Sequence, residues 1–389
     1  MLRKAVELAG FCIKCGFCEP VCPTILAFKN SPVYGPRGRI LLLREIYRGE
    51  FPLNERIRDP YYSCLNCKAC YEVCPAEVDV GEISSEMKKL IQLKGLAHAL
   101  SYVVRDVFQL YGNPLGVKVS NNEISEILPR RGKYTLFTGQ LYQLMGYADR
   151  ISSILDLLRE HPSLLNVSTR SGLSSIFLKF KGASHAFIES ILCISKLLRG
   201  RDVAYDPSAD FYSGIFLYDL GFEEVFSEHA KKVFNELKER GITKVVTIDP
   251  HTTYALLSLY PRYVEGFDID VTYYLELLDD LNLKVVGEIS VAYQEPCYLV
   301  RHLRLSDIRS ILESVKGLSL EKVRTSCCGG PIEYLYPERS RAIAKTRATE
   351  LSAGGKDLFI TACPVCMSNF RKIALDPLDI SLFIYRNLS

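Results

Sequence analysis

The sequence predicts an α + α/β chain: a helical N-terminal domain, then an α/β region built as two copies of one unit. Three observations carry this. Two cysteine runs of identical spacing bracket residues 24–63. Helical periodicity then runs to a Gly/Pro break at Gly112-Asn-Pro-Leu-Gly116. Beyond residue 133, short β-branched or aromatic runs alternate with longer helical patterns, and part of that region repeats.

The cysteine runs come first. Cys12-Ile-Lys-Cys15-Gly-Phe-Cys18-Glu-Pro-Val-Cys22-Pro23 and Cys64-Leu-Asn-Cys67-Lys-Ala-Cys70-Tyr-Glu-Val-Cys74-Pro75 match without a gap. This is the run that holds pairs of 4Fe–4S cubanes. Three thiolates in one short loop reach three irons of a cube. The chain has then turned away, so the fourth cysteine serves the other cluster. Cys12, Cys15, Cys18 and Cys74 are therefore assigned to one cubane, and Cys64, Cys67, Cys70 and Cys22 to the second. Pro23 and Pro75, with fixed φ and no N–H, end each loop. Zinc prefers two separated Cys-x-x-Cys pairs around one tetrahedral ion and fits this pattern poorly.

At 389 residues the chain has room for two or three domains, and its 48% apolar content is ample for packed cores. Lys plus Arg total 48 against 45 Asp plus Glu, so nothing calls for nucleic acid or a strongly acidic substrate. Fourteen cysteines, mostly in metal-type clusters and without a signal peptide before Cys12, read as a reduced cytosol rather than a disulfide framework. No run of about 18 apolar residues suggests a membrane span. The expected location is cytoplasmic, with any association at the inner face of the membrane running through partners.

In chain order, the helical two-cluster domain is expected over 1–95. Within it, Gly35-Pro-Arg-Gly-Arg-Ile40 marks a turn, and the apolar run after it reads as a helix of about three turns. Arg37 and Arg39 stand either on a solvated turn or beside a negatively charged cluster or partner carboxylate. Residues 82–111 read as helical, and 96–132 as a helical linker ending in a polar stretch. The first α/β half is expected over 133–288 and the second over 289–389. The best strand candidates are Tyr134–Phe137, Lys244–Ile248, Val291–Tyr293 and Asp357–Thr361. Helices are expected at 141–159, 185–198, 223–239, 332–352 and 365–374. Cys193 reads as a buried small apolar side chain.

The duplication is visible directly. Ala230-Lys-Lys-Val-Phe-Asn-Glu-Leu-Lys-Glu-Arg-Gly241 aligns on Ala344-Lys-Thr-Arg-Ala-Thr-Glu-Leu-Ser-Ala-Gly-Gly355. At the same offset of 114, Thr247-Ile-Asp-Pro-His-Thr252 falls on Thr361-Ala-Cys-Pro-Val-Cys366. Cys363 and Cys366 thus correspond to Asp249 and Thr252. The second copy also holds Cys297 and Cys327-Cys328-Gly-Gly. Five thiolates exceed the usual four of a tetrahedral ion, and Gly329 and Gly330 let the backbone turn closely around a bulky inorganic centre.

The pattern Cys…Cys-Cys-Gly…Cys-x-x-Cys resembles the cysteine-rich "CCG" domain of heterodisulfide reductases. With the two cubane runs, residues 10–389 resemble the iron–sulfur subunits of glycolate oxidase and anaerobic glycerol-3-phosphate dehydrogenase, and those of lactate-utilisation complexes. Cys15-Gly-Phe-Cys18, Cys22-Pro-Thr, Gly35-Pro-Arg-Gly-Arg-Ile40 and Cys64-Leu-Asn-Cys67-Lys-Ala-Cys70 carry the closer match. The resemblance implies an N-terminal helical ferredoxin domain with two 4Fe–4S clusters, followed by a pseudo-duplicated CCG domain. It further implies a noncubane 4Fe–4S centre on Cys297, Cys327, Cys328, Cys363 and Cys366. Gln140 stands where the first copy should have a cysteine, and Asp206-Pro207 is taken to occupy its CCG position, so that copy has lost its centre. Gln294-Glu295 replace the more usual His-Asp before Pro-Cys. His302 is a candidate donor near the centre; His251 lies in the degenerate copy.

No flavin fingerprint, phosphate loop or catalytic triad is visible. The leading expectation is an electron-transfer subunit working with an FAD-linked dehydrogenase subunit of glycolate, lactate or glycerol-3-phosphate type, or with other heterodisulfide-reductase-type subunits. The alternative is that the C-terminal centre itself reduces or forms a disulfide.

Overall fold

The computed structural model describes residues 1–149, 183–278, 281, 283–305, 307–320, 323–352 and 355–388. Up to residue 111 its regular elements are helical. The helix Leu2–Gly10 turns Ala5 and Ala9 inward onto the helix Val80–Leu93. The Gly35-Pro motif opens the helix Pro36–Arg48, with Pro36 at the first position where its missing N–H costs nothing. Gly38 is required there, because a Cβ would collide with the Pro32 carbonyl oxygen. Ile40, Leu43 and Ile46 form the buried stripe, and Gly49, at φ 80°, ends the helix.

The periodic stretch 82–111 divides into two helices, Val80–Leu93 and Ala99–Tyr111. Asp79 caps the first by accepting a hydrogen bond from Glu82 N at 3.0 Å. Gly95, at φ 70°, turns the chain between them.

The remainder forms two four-stranded parallel sheets. The first contains β1 (Tyr134–Phe137), β2 (Val203–Ala204), β3 (Lys244–Thr247) and β4 (Asp270–Tyr273) in the order β2-β1-β3-β4. The second contains β5 (Lys284–Gln294), β6 (Lys316–Leu320), β7 (Leu358–Thr361) and β8 (Leu378–Asp379) in the order β6-β5-β7-β8. Each strand of one sheet has its counterpart in the other, so the duplication read in residues 230–252 and 344–366 extends to the whole topology. In each sheet the order reverses beside the central pair, β1/β3 and β5/β7, where doubly wound sheets bind ligands beyond their strand ends.

Three expected strands, β1, β3 and β7, fall where the sequence places them; β5 is longer than Val291–Tyr293. The expected helices appear as His185–Leu198, Glu223–Glu239, Pro337–Ser352 and Pro364–Arg371. The helix expected over 141–159 is helical to Asp149, and the rest lies outside the described residues. Among the described residues no helix is long and apolar enough to cross a membrane.

One continuous apolar core runs from Ala5 and Ala9 through Ile83 and Met87 to Phe226, Cys297 and Cys327, so the helical domain is packed onto the α/β region. Polar ties reinforce that contact. Tyr62 donates to Leu220 O at 2.9 Å, and Lys89 pairs with Glu86 and Glu223 at 3.0 and 2.6 Å. Asp59 accepts from Tyr336 at 3.0 Å and lies 3.2 Å from His98.

His229 is half-buried in the same region, its Nε2 2.6 Å from Tyr212 O and its ring 4.8 Å from Phe108. Burial lowers its pKa to about 4, against a partial offset from the Tyr212 carbonyl. In the unfolded chain a histidine protonates at about pH 6.5. The unfolded state therefore binds the extra proton first, and stability is lost as pH falls from about 6.5 toward 4. Urea unfolding should show about 1 kcal/mol less stability at about pH 5.5 than at about pH 7 from this group. His229→Gln should lack that part of the loss.

Candidate iron–sulfur centres

Every cysteine in the chain is free of disulfide bonding. Cys12, Cys15, Cys18 and Cys74, together with Cys70, line one small cavity under Ile40, Val78 and Val80. Gly16, at φ 86°, turns the first loop. Val78 N donates to Cys74 Sγ at 3.4 Å. Burial pushes the Cys18 thiol up to about 11, and the charges of Glu19, Cys12 and Cys15 add to that. Cys15 is the exposed member of the fourteen cysteines. Phe11, Ile13 and Phe17 flank it at 72%, 66% and 63% exposure, so large apolar groups surround the most exposed thiol.

Cys22 lies on the other side, with the second run. Burial raises the Cys70 thiol, and the neighbouring charges of Cys67, Cys64 and Cys22 raise it further. Arg39 sits among Cys64, Cys22 and Cys70. Its guanidinium is 1% exposed and donates to Pro60 O at 2.6 Å, Ser63 Oγ at 3.0 Å and Thr24 Oγ1 at 3.2 Å. Thr24 Oγ1 in turn lies 3.0 Å from Cys22 Sγ. Of the two readings open for Arg39, the solvated turn is excluded. Burial disfavours its charge, and the surrounding thiolates more than restore it. Arg37 pairs with Glu19 at 3.1 Å at the surface. The structure thus brings Cys74 to the first run and Cys22 to the second.

The C-terminal cysteines gather at the carboxyl ends of strands. Cys297 follows β5, Cys327 and Cys328 lie in the loop after β6, and Cys363 caps the helix Pro364–Arg371 that holds Cys366. All five are buried, at 6%, 1%, 2%, 1% and 3% exposure, in the order of the chain. Their thiols touch in series: Cys297 to Cys327, Cys327 to Cys328, Cys328 to Cys366, and Cys366 to Cys363. Among the described residues no three Cys, His, Asp or Glu side chains are arranged as a site for a single metal ion. A series of soft thiols suits a polynuclear iron–sulfur group better than one hard cation.

The backbone supports that donor set. Gly329 N donates to Cys327 Sγ at 3.5 Å and Gly330 N to Cys328 Sγ at 3.4 Å. Such bonds favour the thiolate. At Gly330 a Cβ would lie 2.5 Å from Val365 and 3.4 Å from Cys328 Sγ, so a larger residue would crowd the loop. Neighbouring thiols drive Cys327 up and Cys328 down as donor and acceptor. Burial opposes ionisation of Cys363, yet the Cys366 thiol and His251 outweigh it, leaving its pKa at about 6.

His251, reached from the first copy, lies with Nδ1 3.8 Å from Cys363 Sγ. Burial disfavours its cation, but the Cys363 thiolate and Asp249 raise its pKa to about 9. The sequence ranks His302 above His251, because His302 follows Cys297 closely. His302 instead stacks on Tyr298 at 4.5 Å and binds Asn66 O at 2.7 Å. Burial lowers its pKa to about 3.

The first copy keeps the frame and fills the space. Gln140 follows β1 by the same interval as Cys297 follows β5. Its CCG position is Tyr212-Ser213-Gly214 rather than Asp206-Pro207. Gly214 has φ 79°, matching Gly329 at 88°, and Ser213 Oγ meets Thr252 Oγ1 at 3.5 Å as Cys328 meets Cys366. Asp206 caps a separate short turn at Pro207–Ala209. Asp249 accepts from His251 N and Thr252 N, both at 2.9 Å. A Cβ on Gly139 would collide with Thr252 Oγ1, so these loops are closed on each other. Asp210, not singled out by the sequence, accepts from Thr138 N, Thr138 Oγ1, Asn121 and Tyr205.

The two halves of the chain meet at thiols. Cys67, from the second run, lies close enough to Cys327 for their thiols to interact. That contact outweighs burial and leaves the Cys67 pKa at about 6.

These features define a helical domain carrying two cysteine runs, fused to a cysteine-rich α/β domain. Residues 9–78 match the family described as 4Fe-4S dicluster domain, and residues 291–371 the cysteine-rich domain family. The chain is related over most of its length to iron–sulfur subunits of oxidoreductase complexes. It is 23% identical to a subunit of the dihydromethanophenazine:CoB--CoM heterodisulfide reductase of Methanosarcina acetivorans, across 92% of this chain and 87% of that protein. It is 24% identical to the "Probable glycolate oxidase iron-sulfur subunit" of Bacillus subtilis, with the same two coverages, 92% and 87%. A subunit of the fumarate reductase (CoM/CoB) of Methanothermobacter marburgensis is 23% identical over 92% of this chain and 67% of its own length.

The placement of Cys22 predicts a specific phenotype. Cys22→Ser should disturb the centre associated with Cys64, Cys67 and Cys70 and spare the one associated with Cys12, Cys15, Cys18 and Cys74. Paramagnetic resonance of the reduced protein separates the two outcomes; loss of the other signal would refute the crossed arrangement.

Proposed function

We propose that the chain is the iron–sulfur electron-transfer subunit of an oxidoreductase complex. Its partner is an FAD-linked subunit that oxidises a small 2-hydroxy acid or related alcohol, of glycolate, lactate or glycerol-3-phosphate type. The observation that carries this reading is the Cys67–Cys327 contact, which joins the N-terminal cysteines to the C-terminal five within one apolar core. The exposed Cys15 and its apolar surround lie at the other end of the thiol series and suit a docked subunit.

The residues assigned to the first cubane are Cys12, Cys15, Cys18 and Cys74, and to the second Cys64, Cys67, Cys70 and Cys22. Cys297, Cys327, Cys328, Cys363 and Cys366 are assigned to a third, noncubane 4Fe–4S centre. Bound iron–sulfur groups supply one-electron redox chemistry. The chain's own part is to fix the thiols, exclude water and set the local charge. Arg39 places a cation among Cys22, Cys64 and Cys70, and His251 places one beside Cys363.

A second reading has its own observation. His251 faces both Cys363 and a cavity of about 110 Å³ lined by Leu141, Phe216, Tyr334 and Val365. A disulfide substrate held there would lie next to an imidazolium, as a heterodisulfide-reductase-like activity needs.

Two measurements test the proposal. Anaerobic iron analysis should give about twelve irons, four for each of three clusters. Cys328→Ser should abolish the third signal and leave the two cubane signals. Asp249→Ala should retain all iron and lose about 1 kcal/mol of stability, since it removes a helix cap and none of the thiols. About sixteen irons, or loss of a cluster in Asp249→Ala, would make the first copy a working site.

The partner requirement is tested by reconstitution. The purified chain should stay oxidised when a 2-hydroxy acid is added alone, and become reduced once an FAD-linked dehydrogenase subunit is supplied. Reduction without that subunit would contradict the relay, and disulfide reduction by the chain with an artificial donor would favour the second reading.

A further inference from the structure

We propose that Arg301 is the positioning residue that locks the Cys67 loop against the Cys327 loop and biases both adjoining centres toward reduction. It lies in the π-helical turn Tyr298–His302 that follows Cys297, a geometry often kept at functional sites. Its side chain is 3% exposed. The three corners of its guanidinium reach three segments. Nε donates to Glu72 Oε2 at 2.8 Å, Nη1 to Cys67 O at 3.1 Å and Nη2 to Thr325 O at 2.5 Å. Glu72 and Cys67 belong to the second cysteine run, whereas Thr325 leads into Cys327-Cys328. The next residue adds a second tie, His302 to Asn66 O at 2.7 Å.

Only a planar fork can serve three acceptors in these directions; a lysine ammonium is a point charge. Two of the acceptors are neutral carbonyls, and the one carboxylate, Glu72, is 46% exposed and solvent-screened. A buried cation therefore stands within charge range of both the Cys67 and Cys297 thiols. A reduced iron–sulfur group carries one more negative charge than its oxidised form, so a fixed nearby cation favours the reduced state. The proposal rests on the reading that both thiol sets hold centres, and its test reads potentials rather than turnover.

The experiment is a redox titration of the full-length, iron-loaded protein, followed by paramagnetic resonance. In Arg301→Gln the centres of the Cys67 set and of the C-terminal set should move to more negative potentials. A tenfold change in the reduction equilibrium, about 59 mV for one electron, is expected. The centre of Cys12, Cys15, Cys18 and Cys74 should stay put and serves as the internal control. Arg301→Lys keeps the charge, so its potentials should shift less than half as far. It loses the fork, so amide exchange at 66–72 and 325–328 should rise in both variants. Unchanged potentials in Arg301→Gln, equal shifts at all three centres, or equal shifts in both variants would overturn the proposal. If Arg301→Gln does not retain iron, Arg301→Lys decides alone: potentials close to the parent with faster exchange support it, and any other pattern rejects it. About eight irons in the parent protein would instead sink the third centre, while the Cys67 signal would still report on Arg301.

Discussion

Thiolates are needed as iron ligands, yet burial in a protein interior penalises them; the architecture depends on that conflict. The five C-terminal cysteines are nearly inaccessible to solvent. Each element around them supplies partial or full positive charge. Gly329 and Gly330 offer N–H groups, the helix after Cys363 presents its positive end, and His251 and Arg301 bring whole cations. Arg39 does the same for the second cysteine run. Parallel strands followed by helices are well suited to this, because they collect strand ends and helix starts on one edge.

The two α/β copies separate what the frame requires from what the centre requires. Both keep four parallel strands in the same order and a left-handed glycine after the second cysteine position. The thiols of the second copy become Gln140, Tyr212, Ser213, Asp249 and Thr252 in the first. Oxygen groups there bond to backbone N–H and to each other, and the Gly139 loop lies close against Thr252. What the first copy contributes to the chemistry is His251, delivered across the interface to Cys363. A copy without those thiols thus forms part of its sister's surroundings.

Legibility followed distance along the chain. The cubane runs are local, with ligands a few residues apart, so spacing alone exposes them. β1, β3 and β7 are short β-branched or aromatic runs in central positions and could be read directly. β2 and β8 have two residues each, too short for any period to show. β5 escaped in its first half because Gly287 and exposed Glu288 interrupt the run. Tyr212-Ser213-Gly214 carries no cysteine, so only the backbone of Gly214 reveals its equivalence to Cys327-Cys328-Gly329. His251 lies 112 residues from Cys363 in sequence, and only the packing of one copy on the other makes them neighbours. Arg301 lacks any periodic or motif signal, since its partners come from residues 67, 72 and 325.

Domains joined in one chain ordinarily move relative to each other unless their interface is large and apolar. Here the apolar core passes without a break from the helical domain into the α/β region. Buried polar contacts then fix its register: Tyr62 to Leu220, Lys89 to Glu223, and Tyr336 to Asp59. They lie away from the Cys67–Cys327 junction, which Arg301 ties directly. A hydrophobic interface alone tolerates sliding, because its energy depends on area rather than direction. Hydrogen bonds at three separated points do not. The division of labour is then clear: apolar burial holds the two domains together, and directional bonds ending on backbone carbonyls and carboxylates fix how the cysteine runs of one face the thiols of the other.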